Sequence, residues 1–397
     1  MNKLVLVLNC GSSSVKFSVI DVSTGETFIS GLAEKLNLAD AVMTFKQGED
    51  KEVVPMSADG SHRGAIMLIL AKLKDIQLFD AIGAVGHRVV HGGERFSASV
   101  IIDHEVLYDI EACFNLAPLH NPAHLMGINV AQEAFGHLKH VAVFDTAFHQ
   151  SMPPHAFLYA VPMVLYREHA VRRYGAHGTS YRYVFKEAAR LLNKPKESLS
   201  MVVAHLGNGS SITAIANGQC QDTSMGLTPL EGLVMGTRSG DIDPSIFSFL
   251  KQNRGYDIQE VTTMLNRRSG LKGLSELSSD CRELTAAAEA GHKGAQIALD
   301  VFAYRLAKYV GAMMVAAGGL DVLVFTGGIG ENSAYMREKV LAHLGCFGLK
   351  LDKKANAEKV MGKAGIISSS KAPLAMVVPT NEEYMIALDT AKLVNLD

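Results

Sequence analysis

The chain has 397 residues, 48% of them apolar and 20% charged, with a formal net charge of −2. That length supports two domains, each with its own core. The near-zero charge and lack of basic tracts leave nucleic-acid binding without support, and no run approaches the roughly 20 apolar residues needed to span a bilayer.

The five cysteines, Cys10, Cys113, Cys220, Cys281 and Cys346, are scattered and contain no CxxC pair. This argues against a disulfide framework or a cysteine zinc site and fits a reducing cytoplasm. The apolar start is too short for a secretory signal.

The run from Lys3 to Leu8 is apolar after its first residue, as a strand buried on both faces would be. Gly11, Ser12, Ser13 and Ser14 follow. Glycine permits a tight turn and short hydroxyl residues leave backbone N–H groups accessible, so the turn suits a phosphate. Val15, Phe17 and Val19 alternate with polar neighbours in the outgoing strand, and Lys16 adds a positive charge. Residues 22–55 continue as short strands and turns. Ile66, Ile69, Leu70 and Leu73 place one apolar face on a helix over 61–74.

The stretch AIGAVGHRVVHGG, residues 81–93, reads as a buried strand running into a glycine turn. Ligands of α/β folds meet the carboxyl ends of strands, which is where Arg88 stands. His120 and His124 have HxxxH spacing, but a zincin needs a glutamate after the first histidine. Here Asn121 and Pro122 follow it, so residues 116–124 read as a structured loop. Asp145 closes the strand VAVFD. His177 stands in a glycine-punctuated loop, RRYGAHGTS, ahead of an amphipathic helix.

From Met201 an apolar strand again runs into a Gly/Asn/Ser turn and out again, MVVAHLGNGSSITAIANG. Gly11-Ser12-Ser13 aligns with Gly209-Ser210-Ser211, and VAVFDT (141–146) with VLVFTG (322–327). These two echoes imply an internal duplication. Asn217-Gly218 suits a type I′ turn. Residues 222–244 are irregular and rich in Gly, Ser and Thr, as functional loops are, and they carry Arg238. A long helix with Phe302, Leu306, Tyr309 and Met313 on one face stops at Gly318-Gly319. Residues 322–332 read as strand, glycine loop and helix start, suited to a phosphate or nucleotide. Thr380 and Glu383 match a capping box at the head of a last helix, leaving Glu382 free to meet a cation.

Taken together and in order, NCGSSSVKF, GHRVVHGGE, PLHNPAHL, VFDTAFH, RRYGAHGTS, HLGNGSS, GLTPLEGLVMGTRSGDIDP, SDCR, FTGGIGEN and PTNEE closely resemble the acetate kinase family. The resemblance implies an α/β fold: the duplicated ribonuclease-H-like, actin-like ATPase fold of two domains with an interdomain cleft. The first domain would span 1–149, completed by a C-terminal helix over 380–397. The second, 150–379, would bind the nucleotide and form a homodimer.

The implied reaction is reversible transfer of the ATP γ-phosphoryl group to acetate, giving acetyl phosphate and ADP, with Mg²⁺ or Mn²⁺, in the cytoplasm. By motif, Asn9 and Glu382 lie near the metal, and Arg88 and Arg238 hold the acyl carboxylate and the phosphoryl group. His177 stabilises the transition state, and Asp145 is the active-site acid, as proton donor or metal-site carboxylate. Val90, Leu119 and Pro229 wall the pocket for the acyl methyl group. ATP is met by Lys16, His205, Leu206, Gly207, Asn208, Gly209, Asp280, Cys281, Arg282, Gly328, Ile329, Gly330, Glu331 and Asn332.

The alternative within the fold is propionate kinase. Valine at position 90 leaves less room than the alanine usual there in propionate kinases, which favours acetate. An actin-like ATP clamp would need a polymerisation or peptide-binding surface. A dehydrogenase reading rests only on an imperfect GxGxxG at Gly328.

Overall fold

The computed structural model describes residues 4–56, 58–118 and 120–396. The chain divides into two compact units, Met1–Phe148 with Asn381–Asp397, and His149–Thr380.

The first unit is built on strands β1 (Leu4–Cys10), β2 (Ser14–Asp21), β3 (Thr27–Glu34), β4 (Val42–Gln47), β5 (Asp50–Pro55), β6 (Ile82–Val89), β7 (Val100–Ile101) and β8 (Lys139–Phe144). They form one sheet in the order β5-β4-β3-β2-β1-β6-β8-β7. Side chains alternate across a strand, and β1 uses both faces. Leu4, Leu6 and Leu8 pack with Ile66, Ile69 and Leu73 of helix α1 (His62–Asp75). Val5 and Val7 pack with Ile386, Ala387 and Ala391 of the C-terminal helix (Glu382–Val394). A strand covered on both sides must be apolar throughout, hence LVLVL. Gly86 of β6 is needed for this: a Cβ there would come within 2.4 Å of Thr390 Oγ1.

Two expected local structures differ. Residues 116–124 are not all loop. Helix α3 (Asn121–Ala134), which follows α2 (His104–Ala112), begins at Asn121, because Pro122 in a first turn forfeits no helical hydrogen bond. The C-terminal helix is capped by Asn381, whose Oδ1 accepts from Tyr384 N at 3.0 Å, and not by a Thr380–Glu383 box. Glu383 instead pairs with Lys16 of β2.

The second unit begins with helices α4 (Pro154–Phe157), α5 (Met163–His169) and α6 (Gly178–Leu191). Its sheet comprises β9 (Met201–Leu206), β10 (Ser210–Ala216), β11 (Gln219–Thr223), β12 (Val322–Thr326), β13 (Gly365–Ile366) and β14 (Leu374–Val377). The order is β11-β10-β9-β12-β14-β13. Between β11 and β12 run α7 (Ile246–Arg254), α8 (Ile258–Arg267), α9 (Gly270–Ser275), α10 (Cys281–Glu289) and α11 (Lys293–Ala316). Three more helices, α12 (Gly327–Asn332), α13 (Ala334–His343) and α14 (Lys353–Glu358), precede β13. Leu299, Phe302, Leu306 and Val310 of α11 pack in one core with Val202, Ala204, Leu323 and Phe325 of the sheet. Asn217 and Gly218 both have positive φ, as a type I′ turn requires.

The sheets share a five-strand core. In β3-β2-β1-β6-β8 and in β11-β10-β9-β12-β14 the first two pairings are antiparallel and the last two parallel. This is the duplicated ribonuclease-H-like fold. The register corrects both expected echoes. VLVF of β12 stands fourth, beside β9, and its counterpart is β6; VAVF of β8 stands fifth and matches β14. Cys10 pairs with Val15 and Leu206 with Ser210, so Gly11 corresponds to Gly207, not Gly209. Ser12 and Ser13 are exposed in their turn, whereas Ser210 and Ser211 are buried in β10.

Candidate active site

In the first unit, the carboxyl ends of three adjacent strands bring together Asn9, Arg88 and Asp145. Arg88 donates to Asp145 Oδ2 from Nε at 3.0 Å and from Nη2 at 2.6 Å, and to Asn9 Oδ1 from Nη1 at 3.4 Å. Asp145 is 2% exposed. Burial opposes the Arg88 charge, but Asp145 and then Glu382 outweigh it and hold the guanidinium firmly protonated.

A small hollow beside this pair is lined by Asn9, Lys16, Arg88, Glu382 and Glu383, over Val7, Phe17 and Ile386. Burial pushes the Glu382 carboxyl up to about 7, opposed by Arg88 and reinforced by Asp145 and Glu383. Glu383 is held below its ordinary range by Lys16, in spite of its burial.

Among the described residues no group of three or more His, Cys, Asp or Glu is arranged to hold a metal by itself. Mg²⁺ does not need one: it keeps several waters and binds through one or two carboxylates and substrate phosphates. The Glu382 carboxyl, with the Asn9 amide oxygen on the same hollow, fits that description.

The loop after Arg88 is tied by groups the sequence did not flag. Buried Asn121 accepts from His91 N and donates to His91 O, at 3.2 and 2.8 Å, while Gly92 N donates to Thr146 Oγ1 at 2.9 Å. Val90 lies one residue past the end of β6. A strand parity that would point Val90 and Arg88 to one face therefore does not reach it. Leu119 lies outside the described residues.

In the second unit, a cavity of about 880 Å³ opens beside the β9–β10 turn. Gly207 and Asn208 of the turn, Asp280, Cys281 and Arg282 at the head of α10, and Gly328, Ile329 and Asn332 of α12 line it. His205, Leu206, Gly209, Gly330 and Glu331 are not among its lining residues. Thr285, Ala286 and Glu289 also line it. Their spacing from Arg282, three, four and seven residues along one helix face, is the signal that could have found them. Asp280 caps α10 by accepting from Arg282 N, and its hydrogen bonds from the Arg282 side chain, then backbone, lower its carboxyl to about 2.

His177 has a left-handed backbone, φ 59°, at the head of α6. Its Nδ1 is 2.8 Å from Ser211 Oγ, and its ring stacks on His205 with centroids 4.2 Å apart. Arg238 donates to Pro229 O at 2.7 Å. A Cβ on Gly209 would stand 3.2 Å from Arg238 Nη2, so the guanidinium passes close to the turn. Burial lowers the Arg238 pKa.

One unit thus presents a charged cluster able to hold small anions and a cation. The other presents a nucleotide-sized cavity with Gly207 and Gly328 in its wall. A model of the acetokinase family matches residues 4–388.

The chain belongs to this family.

The curated acetate kinase of Chromobacterium violaceum is 60% identical over 396 residues, spanning 100% of both chains. Acetate kinase 1 of Neisseria meningitidis serogroup A is 59% identical over 396 residues, 99% of each. The solved acetate kinase of Porphyromonas gingivalis aligns with a TM-score of 0.95 at 44% identity, over 99% of this chain and 100% of that one. A propionate kinase from Francisella tularensis aligns at 0.93 and 46% identity, over 98% of this chain and 100% of that one. Every motif that carried the sequence resemblance, from NCGSSSVKF to PTNEE, lies within the matched span.

Proposed function

We propose that this chain is an acetate kinase, transferring the ATP γ-phosphoryl group reversibly to acetate. The observation that carries the reading is the full-length match to acetate kinases at about 60% identity. A strand-end arginine beside a buried aspartate, on a chain that also holds a nucleotide-sized cavity, supports it.

An acetate carboxylate is already a nucleophile, so no strong base is required. One carboxylate oxygen attacks the γ-phosphorus in line. The new O–P bond forms as the bond to the β,γ-bridging oxygen breaks, and ADP leaves with that electron pair. The protein's work is positioning and charge neutralisation. Arg88 has two N–H groups on Asp145 and one toward Asn9, which leaves others of its five donors for an anion. Asp145 acts by fixing the guanidinium plane. Arg238 and His177 donate to the transferring group. Gly207, Asn208 and Gly328 admit the phosphates close to backbone N–H groups. Asn9 and Glu382 would hold Mg²⁺, which when bound would offset charge on the phosphates. The second unit carries the dimer contact, and the enzyme works in the cytoplasm.

Purified protein incubated with ATP, Mg²⁺, acetate and hydroxylamine forms acetyl hydroxamate; its absence overturns the reading. Val90 is taken as part of the wall against the acyl methyl group. One methylene is worth about 1–3 kcal/mol, so acetate should be preferred over propionate by roughly 10–200-fold in kcat/KM. Val90→Ala should shift that ratio toward propionate, mainly through KM. A wild-type preference for propionate would move the assignment to propionate kinase.

A further inference from the structure

The duplicated register pairs each strand-end residue of one unit with a counterpart in the other. Asn9 pairs with Lys16 as His205 pairs with Ser211. Leu8 pairs with His87 as Ala204 pairs with Phe325, which makes Thr326 the counterpart of Arg88. His87 pairs with Ala142 as Phe325 pairs with Val377, which makes Gly327 and Thr380 the counterparts of Val89 and Asp145.

In the first unit Asp145 N donates to Val89 O at 3.0 Å, continuing the ladder. In the second the equivalent N–H, that of Thr380, donates to the Glu331 carboxylate, to Oε1 at 3.0 Å. The same oxygen accepts from Gly327 N at 2.8 Å and lies 3.4 Å from Thr326 Oγ1. Glu331 therefore sits where the two strand ends part, with its carboxylate turned to the backbone and outside the lining of the nucleotide cavity.

The connection continues from Thr380. Its Oγ1 is 2.7 Å from Ser180 Oγ, and Ser180 Oγ is 2.8 Å from His205 Nδ1. The His205 ring stacks on His177, with planes 21° apart. The chain of contacts runs from the first turn of α12 through Glu331, Thr380 and Ser180 to the paired histidines. It uses residues from four separate stretches of the sequence, and its middle members are not among the cavity's lining residues.

We propose that Glu331, Thr380 and Ser180 are positioning residues for phosphoryl transfer: the carboxylate fixes Thr380, and the two hydroxyls fix the His205 ring and with it the His177 ring stacked against it. Small displacements of transition-state donors are costly in rate, whereas this relay leaves nucleotide contacts in place. It rests on the acetate kinase reading above. The wild-type hydroxamate assay tests that reading; comparison of variants with wild type tests this one.

The variants are Thr380→Val, which keeps the branched shape and loses the hydroxyl, Thr380→Ser, which keeps the hydroxyl, and Ser180→Ala. Thr380→Val and Ser180→Ala should each lower kcat about tenfold, the scale of one positioning hydrogen bond, with KM for ATP unchanged within about threefold. Thr380→Ser should restore kcat to near wild type. The Thr380→Val/Ser180→Ala double variant should fall no lower than the worse single, because both break one chain. Glu331→Gln, which keeps an acceptor oxygen, should lose less than Glu331→Ala. Thermal melts by circular dichroism separate any variant that fails to fold, and for such a variant the remaining members of the series decide. Multiplying losses, a failure of Thr380→Ser to rescue, or an effect confined to KM for ATP would overturn the proposal.

Discussion

The two units carry one five-strand core twice and use it oppositely. In the first, two of the strand ends present an ion pair, Arg88 at β6 with Asp145 after β8, beside the amide of Asn9 on β1. In the second, the equivalent positions are Thr326, Thr380 and His205, with no ion pair among them, knitted by Glu331 and Ser180. There the large cavity lies beside the β9–β10 turn and the starts of α10 and α12. The topology dictates where a strand ends, and the residues placed there decide whether it meets a small anion directly or scaffolds a nucleotide pocket.

The sharpest test of this contrast is Arg88→Ala against Gly328→Val. Loss of Arg88 should lower kcat on the order of 10²–10³-fold, the usual cost of one transition-state contact, and Arg88→Lys should recover little because lysine lacks the planar fork. Near-normal turnover with intact circular dichroism would remove Arg88 from the site.

Next in size is the metal side. Glu382→Gln should raise the Mg²⁺ concentration for half-maximal rate by about 10–100-fold, whereas Glu383→Gln, which breaks the pair with Lys16, should leave it near wild type. A reversed outcome would exchange the two assignments.

The backbone-walled unit should respond in KM. A Cβ on Gly328 meets nothing within 4 Å, so a side chain there is tolerated by the fold. It would project at the cavity wall, and Gly328→Val should raise KM for ATP by roughly three- to tenfold, about 1 kcal/mol of binding, with kcat for saturating ATP little changed. A fall in kcat alone would blur the division between the two units.

The smallest effect concerns acid stability. The His87 and His140 rings stack in the first unit, with Nε2 of one 2.9 Å from Nδ1 of the other. Burial lowers His140 to about 4 and His87 well below its ordinary value. Both are neutral when folded and protonate on unfolding below about 6.5. The unfolded chain then binds more protons, so stability is whole above pH 6.5 and declines as pH falls toward 4. Replacing His140 with Gln should make the loss between pH 6.5 and 5.5 smaller by about 1 kcal/mol, read from denaturant melts. An unchanged slope would place the acid sensitivity elsewhere.

Much of this was legible from local pattern. The paired hairpins, the helix from Ser61, the turn at Asn217-Gly218 and the long helix ending at Gly318 are written in periodicity and turn chemistry. Position within the sheet was not. VAVF and VLVF are each covered on both faces, so their letters report burial and nothing about which strand stands beside which. The head of the C-terminal helix shows a second limit. Thr380 and Asn381 are both capable caps, and the partner that settled Glu383 is Lys16, at the other end of the chain. Pro122 was read as an interruption because its tolerance in a first turn depends on where the helix starts. The resemblance gives Glu331 as an ATP contact; its hydrogen bonds to Gly327 N and Thr380 N depend on a strand register invisible in sequence.

The first unit is interrupted, and this bears on how the protein is made. Residues 149–380 emerge from the ribosome as one uninterrupted unit, able to complete a core of their own. The first unit leaves earlier and waits: Val5, Val7, Ile20, Val141 and Val143 have no cover until Ile386, Ala387 and Ala391 are synthesised. During that interval an oily sheet face is open to solvent and to neighbouring nascent chains. The segment translated first is thus finished last: this face of its sheet is covered only once residues 382–394 have been made.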